Sequence, residues 1–295
     1  MPLNRDFDRA CELAAEIDQG SGNRRGVPVR SAFARDLSGN GSAPMSRLIG
    51  LGGRGGEVPL KLYMALIWRS SKEPYATLQS ARKWAELLAL PDPTKNGARR
   101  IKDALKTLAE QKLVKVDHRR GESSVVTLLR DDGSDQPYTV PRGLEKKDYY
   151  FLIPAEMWTT GKLQRLSAAG LAMLMAVLSW KKPGEDVWWS TEMFPGQYGL
   201  SSATRARGTA ELVEVGLLHV DRKLIPPKAG KGFTIDRVRS IYRVAGEALP
   251  KKPEAGKRDT RGMAGRPRAN PSAETPESLP TSGARQIAEK SDPVL

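Results

Sequence analysis

Chemistry has few places to sit in this chain. The only histidines are His118 and His219, far apart and without Cys or acidic neighbours at ligand spacing, and Cys11 is the single cysteine. That composition speaks against a metal cage or a clustered-histidine strand-nicking centre. Both histidines read as polar strand residues. Tyr149 and Tyr150 have the chemistry of a strand-cleaving nucleophile, but an extended Tyr-Tyr-Phe leading into an apolar region reads as packing. Gly50-Leu-Gly-Gly-Arg-Gly55 has the spacing of a dinucleotide-binding turn. It lacks the preceding strand and the ribose-binding acid, so it reads as a hinge. No Gly-Lys-Ser/Thr phosphate loop occurs. The expectation is a protein that is not an enzyme, with no catalytic residue, metal or cofactor.

The residues that could do work are cations. On a helix starting at Asn96, Ile101, Ala104, Leu105 and Leu108 fall on one stripe, and Arg99, Lys102 and Lys106 fall opposite, with Lys95 just upstream. A basic face set against a core face suits insertion into a nucleic-acid groove, although a solvated helix surface has the same pattern. Arg119 and Arg120 lie at a polar tip beyond this helix, where backbone phosphates could be met. In the second half, Ser202, Thr204 and Arg207 occupy the outward positions of a comparable helix, with Lys228 and Lys231 in the tip that follows. Trp188 and Trp189 could stack on bases; alternating along a strand, one would face the core and the other the rim.

The elements that must position these residues occur in the same order twice. Helix 59–68, strand 75–78, helices 80–90 and 96–112, and strands 113–117 and 125–129 are followed by helix 166–180, strand 187–190, helices 191–198 and 201–215, and strands 217–221 and 233–244. Leu108, Leu113, Val116 and Asp117 align with Leu212, Leu217, Val220 and Asp221 at one constant shift. The fold expected is α+β, mainly helical. It has a partly helical N-terminal arm (1–56), a first domain (57–132), a linker (133–147), a second domain (148–246) and a disordered basic tail (247–295).

Helix, strand, helix, helix, strand, tip, strand is the winged-helix order. The run from Tyr198 to Leu218 resembles the recognition helix of winged helix-turn-helix proteins: Leu200 closes the helix before, Ser201 is the N-cap, Leu212 and Val215 are core, and Gly216 permits a left-handed stop. With Phe151-Leu-Ile-Pro154, Trp158, Gly161, Leu166-Ser167 and Thr204-Arg-Ala-Arg-Gly208, the second half is similar to winged-helix proteins of high-GC Gram-positive bacteria and their mobile elements. The paired arrangement is similar in architecture to two-winged-helix plasmid replication initiators. The resemblance implies duplex DNA binding, in transcriptional control or in origin recognition. One departure is Arg205, where such helices place a buried Val or Ile.

Charge agrees with that partner. The formal net charge is +14, with Lys and Arg outnumbering Asp and Glu by 15 to 10 over residues 57–132 and by 14 to 9 over 147–246. The excess is therefore in both domains and not in one tail, which favours polyanion binding. No apolar run reaches the roughly 20 residues that cross a bilayer, so the expectation is a cytoplasmic, nucleoid-associated protein without membrane contact. A homodimer is a further expectation, as is the alternative that the winged helices dock protein partners.

Overall fold

The computed structural model describes residues 5–20, 26–37, 43–50, 56–118, 121–180, 186–225 and 237–249, all within the unit Met1–Lys252. Helix α1 (Arg5–Gly20) is amphipathic: it buries Ala10, Leu13 and Ala14, and carries Asp6 and Asp8 in its first turn, where the helix dipole favours anions. Strand β1 (Gly26–Arg30) buries Val27 and Val29 and pairs antiparallel with Tyr150–Pro154. Short helices α2 (Ser31–Ala34) and α3 (Pro44–Ile49) follow. The stretch read as an arm thus supplies a helix, a strand and buried core residues, because its apolar positions are few but regularly placed.

Helix α4 (Glu57–Arg69) is buried continuously from Val58 to Trp68, as an apolar-all-round helix must be. Strand β2 (Ala76–Leu78), helix α5 (Ala81–Leu87), helix α6 (Asn96–Glu110), and strands β3 (Val114–Asp117) and β4 (Val125–Leu128) complete the first repeat. Ser80 caps α5, its hydroxyl accepting from the Lys83 amide at 3.3 Å. The sheet is antiparallel in the order β2-β4-β3.

The second repeat opens with β5 (Tyr150–Pro154), α7 (Glu156–Thr159) and α8 (Lys162–Arg165). Then come α9 (Ala168–Ser179), α10 (Met193–Tyr198), α11 (Ser202–Glu214), β6 (Leu218–Ile225) and β7 (Arg237–Val244). The strand expected at 187–190 is reduced to a single bridge, Val187 to Tyr242. Two residues further on, Trp189 turns inward among Trp180, Phe194, Tyr198 and Tyr242, with ring centroids 5.1–5.8 Å away, and this aromatic packing takes the place of further pairing. Trp188 is left half-buried beside it.

The repeats end their long helices identically. Lys112 and Gly216 take left-handed φ values of +57° and +75°. The amides of Leu113 and Leu217 then donate to Leu108 O (3.0 Å) and Leu212 O (2.9 Å). The architecture is mixed α and β with small antiparallel sheets.

One hydrophobic cluster runs from Leu13 to Ala248 and spans both repeats. At its centre Trp68 of α4 stacks on Trp158 of α7, centroids 5.3 Å apart. Arg30 makes the polar counterpart. Its fully buried guanidinium donates to Asp131 Oδ1 (2.6 Å), Asp148 Oδ1 (2.8 Å), and Thr139 O (2.7 Å) and Oγ1 (2.9 Å), and its amide donates to Asp131 Oδ2 (2.8 Å). The stretch 133–147, expected as a linker, therefore takes part in a buried network, and its Tyr138 is 5% exposed. Tyr149 and Tyr150, expected to pack, are instead 51% and 42% exposed. Their main chain is held by Ser31 and by β1, and Phe151 alone turns inward.

Arg30→Ala should cost about 3–5 kcal/mol in urea unfolding, because it strands Asp131 without a counter-charge in the core. A loss under 1 kcal/mol would mean the network is not a structural tie. The acid side follows from Asp148. Partial desolvation raises its carboxyl pKa, but hydrogen bonds from the Arg142 amide and from Arg30 outweigh this and hold it below the usual range. A depressed folded pKa gives stability that is complete above the unfolded value of about 3.9. That stability is lost as pH falls through the folded value. The thermal midpoint should therefore drop more steeply below pH 4 in the native chain than in Asp148→Asn.

Candidate nucleic-acid interface

Helix α6 is set by its entry. Asp92 accepts from the amides of Lys95 (3.3 Å) and Asn96 (3.3 Å) and from Thr94 Oγ1 (3.0 Å). The Asn96 amide, the Thr94 hydroxyl and the Lys95 amide together hold the Asp92 carboxyl below its ordinary value against a smaller desolvation effect. Gly97 lets α6 approach α5 closely: a Cβ there would stand 3.0 Å from the Ala85 Cβ and from Asp92 O. Ile101, Ala104 and Leu108 are buried and Leu105 is half-buried, so the expected stripe is the packed face.

Lys95, Arg99, Lys102 and Lys106 are all exposed on this segment. At 1.5 Å per residue they span about 16 Å along the helix, the length of several phosphate spacings. Lys106 has an acidic neighbour, Glu110, at 4.0 Å, but with side chains 80% and 60% exposed the pair is weak. Asp103 is exposed on the same helix and subtracts from the field. Arg119 and Arg120 lie outside the described residues.

Helix α11 is built similarly but differs in charge. Ser201 caps it, its hydroxyl accepting from the Thr204 amide (3.1 Å) and lying 3.0 Å from the Thr204 hydroxyl. Thr204 is thus engaged in the cap, while Ser202 and Arg207 are exposed. Gly208 permits contact with α9, since a Cβ there would stand 2.3 Å from Ala169 O. Glu211 fixes the same interface by accepting from the Ser167 amide (2.6 Å) and from the Ser167 hydroxyl. Lys228 and Lys231 lie outside the described residues.

Arg205, the departure noted in the sequence, organises the aromatic cluster. Its guanidinium donates to Tyr242 Oη (2.9 Å from Nη2) and Trp189 O (3.4 Å), and lies 4.9 Å from the Phe194 ring centroid. A cation at this position is stabilised by ring faces and acceptors together. Nearby, the Arg239 guanidinium sits 3.6 Å over the Trp188 ring. Neither contact has a periodic sequence signal; the adjacent Trp188-Trp189 pair was the only hint.

Among the described residues no three His, Cys, Asp or Glu side chains converge as a metal site, and no helix is long and apolar enough to cross a membrane. His118 is exposed, with Nδ1 3.0 Å from Ser124 Oγ, and His219 is exposed on β6. Comparison with known proteins returns no matching family model, curated protein or solved structure.

Gly208→Ala should destabilise the fold by about 2–3 kcal/mol, because backbone and not a flexible side chain opposes the added methyl group. Chemical denaturation measures it. A neutral result would show that α9 and α11 can separate freely.

Proposed function

We propose that each repeat is a winged-helix unit and that the chain binds duplex DNA, with the first unit supplying most of the electrostatic contact. The order of elements supports the winged-helix reading. The observation that carries the DNA reading is the exposed row Lys95, Arg99, Lys102 and Lys106 on a helix whose opposite face is packed and whose entry is anchored by Asp92. Such a row meets phosphates without rearrangement of the core. Thr204 serves the cap of α11, so Ser202 and Arg207 are the residues of that helix with freedom to read base edges. Transcriptional control and origin recognition both fit this use.

The test is an affinity titration against salt on random-sequence and selected duplexes. The triple substitution Arg99→Ala, Lys102→Ala and Lys106→Ala should weaken both, and should flatten the slope of log affinity against log salt by about 2.7, near 0.9 per lost phosphate contact. Arg207→Ala should leave the slope within about 1 unit and relax preference at one base position. A salt-independent native chain would overturn the reading and favour protein docking.

A further inference from the structure

The second repeat carries a cleft of about 790 Å³ that shares only Ser202 with the duplex reading. One wall is α11, where Ser202, Ala206 and Ala210 present small side chains; another is β7, with Arg239 and Ser240, and Trp188 closes the end. This volume lies within the range of roughly 300–1,000 Å³ typical of small-ligand clefts. Among the described residues no Asp or Glu lines it, whereas two arginines do. Arg205 is committed to Tyr242 and Trp189, which fixes the inner rim. Arg239 is held against the Trp188 indole at 3.6 Å, and no carboxylate among the described residues pairs with it. Ser202 and Ser240 add hydroxyl groups without a partner among the described residues.

A half-buried aromatic plane, a cation stacked on it with no carboxylate partner among the described residues, and hydroxyl groups, all beside a floor of small residues, together match one ligand chemistry. They suit a flat ring that carries an anion. We propose that this cleft binds a nucleotide unit, its base placed against the Trp188–Arg239 stack and its phosphate met by Arg239 and the serine hydroxyls. Bases stack on aromatic faces and on guanidinium planes irrespective of sequence, each contributing substantially to affinity. The small side chains of Ala206 and Ala210 leave room for the ring edge. The nucleotide comes either from the free pool or from an unpaired position in a DNA strand, and the two share this chemistry.

The experiment uses the full chain with the α6 row neutralised by Arg99→Ala, Lys102→Ala and Lys106→Ala, so that duplex contacts do not mask the cleft. Binding of a labelled single-stranded octanucleotide is followed by fluorescence anisotropy, and binding of deoxyadenosine monophosphate by saturation-transfer NMR. Saturable binding of at least one probe is expected. It should weaken at least tenfold on Trp188→Ser and on Arg239→Gln and be kept by Trp188→Phe, with thermal midpoints of all variants close to the parent. Displacement of the octanucleotide by the monophosphate assigns the free nucleotide, and binding of the octanucleotide alone assigns the strand. Absence of binding by both probes, or equal binding by Trp188→Ser and Arg239→Gln, overturns the proposal while leaving the duplex reading intact. Conversely, salt-independent behaviour of the native chain toward duplex DNA overturns that reading without touching the cleft.

Discussion

A guanidinium with no exposure to water has to be matched by acceptors, and Arg30 finds them in three separated places: Asp131, Thr139 and Asp148. Removing a charge of this kind from water is costly, and breaking such a pair strands its partner at similar cost. The side chain therefore fixes the end of β1, the start of β5 and the segment between the repeats at once. Burial pushes the Asp131 carboxyl up against the pull of the Arg30 charge and of the hydrogen bonds from its amide and guanidinium. The Trp68–Trp158 stack, and the Lys61 ammonium donating to Gln164 O at 2.8 Å, extend the same junction through the apolar core. The exposed helices α6 and α11 are thereby carried on one packed body.

The two repeats share their helix stops and strand pairing but differ in what they show to solvent. In α6 a line of cations stands opposite the core stripe. In α11 Arg207 is the exposed cation among small and hydroxylated positions, and two further arginines stand at the rim: Arg205 in the aromatic cluster and Arg239 on Trp188. Glycine makes both helices possible in the same way, Gly97 against α5 and Gly208 against α9. A duplicated scaffold carrying divergent surfaces suits two different contacts with nucleic acid, a long electrostatic one and a short chemical one.

Periodicity made most of the repeat elements legible. The apolar spacing of residues 57–69, 96–110 and 202–214, and the short β-branched runs after the latter two, have no competing pattern. Long-range polar ties left no such trace. Arg30 sits in a Gly- and Arg-rich stretch where one arginine looks like any other, and β1 is five residues long, too short for alternation to stand out. The same holds for the acids of the segment at 131–148, whose loop-like composition hid their burial. At the candidate interface, the basic face of α6 was visible because charge and apolar residues segregate at helical spacing. The role of Arg205 was not, since it depends on Trp189 and Tyr242, which come together only when the second sheet forms. Strand 187–190 was overestimated because a β-rich composition does not reveal that Trp189 packs among rings brought from distant positions, Tyr242 among them.

The central claim is that duplex DNA lies along α6. Its most direct measurement is the rate of amine labelling at individual lysines, read by mass spectrometry with and without a saturating duplex. Lys95, Lys102 and Lys106 should be protected severalfold, while Lys72 and Lys146, exposed but off that row, should label at unchanged rates. Equal labelling of all five, or protection confined to Lys72 and Lys146, would contradict the account.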